Sequence, residues 1–211
     1  MMGRRKKYDN SEAVILEAAK ELFTRYGFHR TTLEDISKAT QLGKASIYQC
    51  FESKEAILLA VVDQSLKALH TTLKETTLQQ CDSAPVRSSK KAFLEVVKHL
   101  LFQEAWTKFK DVSANFSGQD AFMLPPPIPP LKARTRFAEW EMMFTELLVD
   151  VLLKGVAYGH LTLAHPPEKV AKTLRSAMAG FFPPLVLIRQ LSEEDFTAEL
   201  NVLLEVLCKG L

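Results

Sequence analysis

Apolar residues recur at helical spacing from Ser11 to Tyr26, where Ile15, Ala18, Ala19, Leu22, Phe23 and Tyr26 form one stripe. Asp9 followed by Glu12 offers a capping box at its start, and Gly27 a stop at its end. A second helix is predicted after Thr31 or Thr32, with Leu33, Ile36 and Ala39 turned inward. Residues 40–43 make a turn, and a short third helix covers about 44–50 with Ile47 and Phe51 as its buried anchors. Ser53 then caps a long fourth helix, whose stripe is Leu58, Val61, Val62, Leu66, Leu69 and Leu73.

Breaks are predicted near Cys81–Pro85 and Phe116–Pro130, with an amphipathic helix between them carrying Phe93, Val96, Val97, Leu100, Leu101 and Ala105. The run Leu124–Pro130 is read as an extended loop, because each proline removes an N–H and fixes φ. Helix resumes from Lys132 to Gly159, and Pro166–Pro167 open another that runs toward Arg189, with a kink or break expected at Gly180, Pro183 and Pro184. Ser192 to Asp195 resembles a capping box before a last helix with Phe196, Leu200, Leu203, Leu204 and Leu207. No segment alternates with period two, so the expected fold is all-α, without internal repeats.

Composition changes this picture little: 47% of the 211 residues are hydrophobic and 25% charged, ordinary values for a folded chain. No apolar run approaches a membrane span, and the basic start MMGRRKKYDN leads into an amphipathic segment rather than a signal-peptide core. Cys50, Cys81 and Cys208 lie far apart, which fits a reducing cytoplasm better than a disulfide framework. Net charge is only +2, but residues 1–54 hold ten basic against seven acidic side chains, which favours a polyanionic partner for that end. His29, His70, His99, His160 and His165 show no ligand spacing, and no GxSxG, P-loop or GxGxxG occurs. The chain therefore reads as a non-enzyme without metal or cofactor.

The stretch Thr31 to Glu55 carries the chemistry. Two short helices across a tight turn are too small to form a core alone, yet suit placement of one helix in a DNA major groove. The outward positions of the third helix are Lys44, Ala45, Ser46, Tyr48, Gln49 and, at its margin, Cys50. Gln49 suits paired hydrogen bonds to adenine, Lys44 a guanine or a phosphate, and Ala45 a thymine methyl group. Thr32, beside Thr31, and Lys54 stand at helix N-termini, where backbone N–H groups favour phosphate. Arg4, Arg5, Lys6 and Lys7 form an unpatterned basic arm, suited to entering a minor groove, to tracking the backbone, or to a solvated tail. Tyr48 alone reads either as an outward, groove-facing position or as a half-buried core tyrosine.

The segments ILEAAKELFTRYGF (15–28), TTLEDIS (31–37), KASIYQCF (44–51) and SKEAIL (53–58) resemble the N-terminal domain of the TetR family of bacterial transcriptional regulators. The resemblance covers about a quarter of the chain and implies a three-helix helix–turn–helix domain over 1–54. A helical effector-binding and dimerisation domain over 55–211 would follow. It also implies a homodimeric regulator that leaves a palindromic double-stranded operator when a small molecule binds, and a phosphate contact from the Tyr48 hydroxyl. The rival reading is a helical ligand-binding or scaffold protein that does not bind DNA. Two positions depart from the family pattern: Gln41 stands where the turn usually has glycine, and Gly43 where the third helix usually has a Ser or Thr cap. By the same resemblance an apolar pocket would draw on Trp106, Phe109, Phe137, Trp140 and Phe144, each of which also reads as plain core. The last two helices would pair with their copies, using Ala177 and Gly180 for close approach and Leu200, Leu203 and Leu207 for apolar area.

Overall fold

The computed structural model describes residues 2–101 and 130–183, and beyond these only positions 194, 195, 198, 201 and 202. Side chains are described at 11–101, 135–136 and 138–177 and at those five positions. The fold is all-α. Its helices are α1 (Met2–Tyr26), α2 (Leu33–Thr40), α3 (Lys44–Cys50), α4 (Lys54–Cys81), α5 (Ala84–Ser88), α6 (90–101), α7 (Pro130–Ala157) and α8 (Pro167–Pro183). The expected loop at Leu124–Pro130, the helix over 192–210 and Pro184 lie almost wholly outside the described residues.

Two compact units make up the chain: Met1–Lys67 with Lys108–Phe137, and Ala68–Thr107 with Ala138–Leu211. In the first, one continuous apolar cluster gathers Ile15, Ala19 and Phe23 of α1, Ile36 of α2, Ile47 of α3, and Ile57, Leu58 and Val61 of α4. Each such fully buried isoleucine, leucine, valine or phenylalanine side chain stabilises by about 1.5–3 kcal/mol relative to exposure. Gly27 ends α1 in the left-handed region at φ 83°, its N–H donating to the Phe23 carbonyl at 2.9 Å, as the sequence predicts.

Three details differ from the periodicity. Helix α1 begins at Met2, so Asp9 lies within it and opens no capping box. Arginine and lysine are good helix formers, and no proline interrupts residues 4–11. Tyr26 is 47% exposed, with the Arg25 guanidinium 5.2 Å from its ring centre, because α1 ends before that face meets the core. Ala39 is exposed as well; the eight-residue α2 buries Ile36 and half-buries Leu33. The predicted break at Cys81–Pro85 is narrower than expected, for α5 starts at Ala84 with Pro85 in its first turn.

The second unit is built on α6, α7 and α8. Phe93, Val96, Val97, Leu100 and Leu101 of α6 are buried, as are Phe144, Leu147, Leu148, Val151 and Leu152 of α7. Gly155 allows a close approach, since a Cβ there would lie 2.6 Å from Phe93 Cζ and 2.8 Å from Leu161 Cδ1. Helix α8 starts at Pro167, as its paired prolines predict, and continues through Gly180 to Pro183. Its Arg175, 6% exposed, donates to the Glu141 carboxylate at 2.8 and 3.0 Å, to the Glu141 carbonyl at 2.6 Å and to Thr145 Oγ1 at 2.8 Å. A guanidinium buried to that degree needs such partners, and they pin α8 to α7.

Candidate nucleic-acid interface

Helix α2 is fixed at its start by a reciprocal cap. Asp35 N–H donates to Thr32 Oγ1 at 3.2 Å, and Thr32 N–H donates to Asp35 Oδ2 at 2.9 Å. The Thr32 hydroxyl also donates to that carboxylate at 2.6 Å; these bonds hold the Asp35 carboxyl below its ordinary pKa. The helix ends at Gln41, whose φ of 56° and ψ of 21° are left-handed. The missing glycine is thus met by a strained glutamine, at roughly 1–2 kcal/mol. Side chains hold the turn around it: Ser37 Oγ donates to the Leu42 carbonyl at 2.6 Å, and Thr40 Oγ1 to the Ile36 carbonyl at 2.8 Å.

Helix α3 follows at once. Gly43 caps it with extended backbone and no side-chain bond, as the sequence anticipates. Phe51 closes it, its N–H donating to the Ile47 carbonyl at 2.8 Å. Ile47 and Phe51 face the core, 1% and 8% exposed. Residues three or four apart share a helix face. Ala45 and Gln49 thus lie opposite Ile47, with Tyr48 and then Lys44 toward its flank; all four are exposed, and Ser46 and Cys50 are half-buried on the other flank. Tyr48 is 55% exposed, which removes the core-tyrosine alternative. Burial, with the Glu12 charge adding to it, pushes the Cys50 thiol above its usual pKa and so disfavours a reactive thiolate.

The remaining candidates are placed less uniformly. Thr32 is exposed beside the start of α2, but Thr31 is 1% exposed and its hydroxyl donates to the Gly27 carbonyl at 2.8 Å. Thr31 is therefore part of the frame and not of the surface. Lys54 also turns inward: its ammonium donates to the Phe28 and Thr31 carbonyls, each at 2.8 Å, and lies 4.2 Å from the Phe28 ring centre. Burial lowers its pKa from the ordinary lysine value. The helix-terminal phosphate contact expected of Lys54 is thus replaced by a brace from α4 to the α1–α2 loop. Lys54→Met should keep the stem against Phe28 yet strip both carbonyls of their donor. We expect a loss of about 1–3 kcal/mol, read from the denaturant midpoint; an unchanged midpoint would show the brace to be energetically idle. Arg4 to Lys7 lie on helical backbone in the first turns of α1, their side chains outside the described residues.

A surface ion-pair group that periodicity does not reveal spans α2 and α3. Glu34 sits 3.0 Å from Lys44 Nζ and 3.4 Å from Lys38 Nζ, and the two ammonium groups hold its carboxyl below the usual range. Only the Lys38 pair, at i and i+4, has a signal in sequence spacing.

The other candidates fall in the second unit or outside the described residues. Trp140 and Phe144 are 4% and 1% exposed, and the His70 ring meets that of Phe144 edge-on at 5.4 Å. Trp106, Phe109, Leu200, Leu203, Leu207 and the Phe137 side chain lie outside the described residues. Ala177 is half-buried on α8, and Gly180 lies on the same helix. A recess of about 440 Å³ opens in the first unit, lined by Leu16, Ala56, Leu59, Asp63 and Arg136 among others, but by none of the aromatic candidates. Among the described residues no helix is long and apolar enough to cross a membrane, and no group of His, Cys, Asp or Glu is arranged to hold a metal ion.

Comparison with known proteins concentrates on this same region. The family model "Bacterial regulatory proteins, tetR family" matches residues 15–61. The HTH-type transcriptional regulator TtgR of Pseudomonas putida is 29% identical over 113 residues, 53% of either chain. The chain thus spans about half the length of the curated relatives it matches. A transcriptional regulator of the TetR/AcrR family from Thermobifida fusca has a similar structure, with a TM-score of 0.60 and 25% identity, covering 92% of this chain and 96% of that one. The regulator FadR from Bacillus subtilis, solved with stearoyl-CoA, shares the fold at a TM-score of 0.64 and 18% identity, covering 94% and 98%.

Proposed function

We propose that the chain is a transcriptional regulator of the TetR family, a ligand-responsive, DNA-binding repressor acting in the cytoplasm as a homodimer. The observation that carries the reading is the geometry of α3. Ile47 and Phe51 lock it to the core while Lys44, Ala45, Tyr48 and Gln49 stand exposed together. Glutamine and a small apolar residue are side chains that discriminate base edges in the major groove, and a lysine beside them supplies a cation for a phosphate. One seven-residue helix makes too few contacts for a stable specific complex, so two copies would read two half-sites of a palindrome. Residues 1–54 would bind the operator and 55–211 the effector and the second copy, with Ala177, Gly180, Leu200, Leu203 and Leu207 at the dimer interface. Trp106, Phe109, Phe137, Trp140 and Phe144 would line or support the effector site. Their aromatic character favours an effector with an apolar part, and stearoyl-CoA, bound by the Bacillus subtilis neighbour, is a sensible first compound to test.

Release by an effector requires that it bind better to a state whose recognition helices no longer match successive grooves. Operator selection from random duplex DNA, repeated with candidate effectors, tests this directly. We expect enrichment of an inverted repeat, and affinity that falls steeply with salt. Recovery of no sequence, with no salt-dependent duplex binding, would overturn the reading.

A further inference from the structure

We infer that Glu34 acts as an intramolecular counterion that restrains DNA-backbone binding by occupying Lys44 in the free protein. The inference rests on the DNA-binding reading of α3. Glu34 stands in the first turn of α2, where the positive end of the helix stabilises a carboxylate. Its two oxygens serve different cations: Oε2 holds Lys44 at 3.0 Å across the turn, and Oε1 holds Lys38 at 3.4 Å along the helix. All three side chains are more than half exposed, so the pairs open readily and confer little stability.

Lys44 begins α3, on the flank with Tyr48, so the carboxylate of Glu34 lies at the edge of the proposed interface. A phosphate that approaches Lys44 must displace this carboxylate and tolerate its charge nearby. The cost falls on electrostatic contact with any duplex, whatever its sequence, and that contact supplies essentially all of non-specific binding. Contacts from Tyr48 and Gln49 carry no net charge and are left untouched. The restraint therefore weakens the non-specific background on which specific recognition must compete.

The test uses the full chain, a random-sequence duplex and a salt titration. Glu34→Gln should bind that duplex about threefold to tenfold more tightly at low salt, and the slope of log K against log [salt] should steepen by up to about one. In a Lys44→Met background the same substitution should have little effect, because the cation it releases is gone. Glu34→Gln binding like wild type, or tightening equally with Met at position 44, would overturn the inference alone. Absence of duplex binding by the wild-type chain would overturn the DNA-binding reading and this inference with it. Glu21→Gln, an exposed carboxylate on α1, supplies a control for removal of a negative charge elsewhere.

Discussion

Ile47→Ala is expected to destabilise the first unit by about 2–4 kcal/mol and to abolish sequence-specific DNA binding. Helix α3 has seven residues, too few to persist alone, so its presence depends on what it buries. Ile47 is 1% exposed and sits in the cluster with Ile15, Phe23, Ile36, Phe51 and Ile57. Truncation removes three carbons from that cluster and leaves a cavity that rigid neighbours on three other helices close only in part. In a chain of this length such a loss lowers the melting temperature by about 5–15 °C. Ile47→Val should cost only about 1 kcal/mol and retain binding, which separates loss of packing from general intolerance at this position. A melting temperature for Ile47→Ala within a degree of wild type would show that α3 is held by something other than its buried face.

What could be read from the sequence follows from the range of the interactions. The anchors Ile15, Phe23, Ile36, Ile47 and Leu58 were legible because burial repeats with the helical period. The caps at Thr32 and Ser53 and the stop at Gly27 were legible because each is a bond between residues three or four apart. The strained turn at Gln41 was legible as a missing glycine. Lys54 was misread, since its partners Phe28 and Thr31 are 26 and 23 residues away and offer carbonyls, which leave no trace in side-chain identity. Thr31 was misread for a related reason. Of two adjacent threonines only one can cap α2, and the other turns to the Gly27 carbonyl. The Glu34–Lys44 pair crosses a turn whose geometry depends on Gln41, so spacing alone did not expose it. Tyr26 and Ala39 were expected inward because a periodic pattern extends to the end of its helix, whereas the core does not.

Tyr48→Ala combined with Gln49→Ala is expected to weaken operator binding by about 100-fold or more, while leaving the salt slope close to wild type. Both side chains are exposed, Tyr48 by 55%, so truncating them should change folding stability by no more than about 0.5 kcal/mol. Loss of a bidentate glutamine–adenine contact costs about 1–3 kcal/mol, and loss of a phenol–phosphate bond about 1.5–3 kcal/mol. Each 1.4 kcal/mol is about tenfold, so the two together reach the expected range. Neither residue carries charge, so the number of phosphates neutralised should not change. Lys44→Gln should behave in the opposite way, with weaker binding to operator and random duplex alike and a slope reduced by about one. Gel-shift titrations at several salt concentrations, on operator and random duplex in parallel, resolve the two patterns. Wild-type operator affinity in the double variant would mean that α3 is not the element that reads the bases, whatever the rest of the chain contributes to binding.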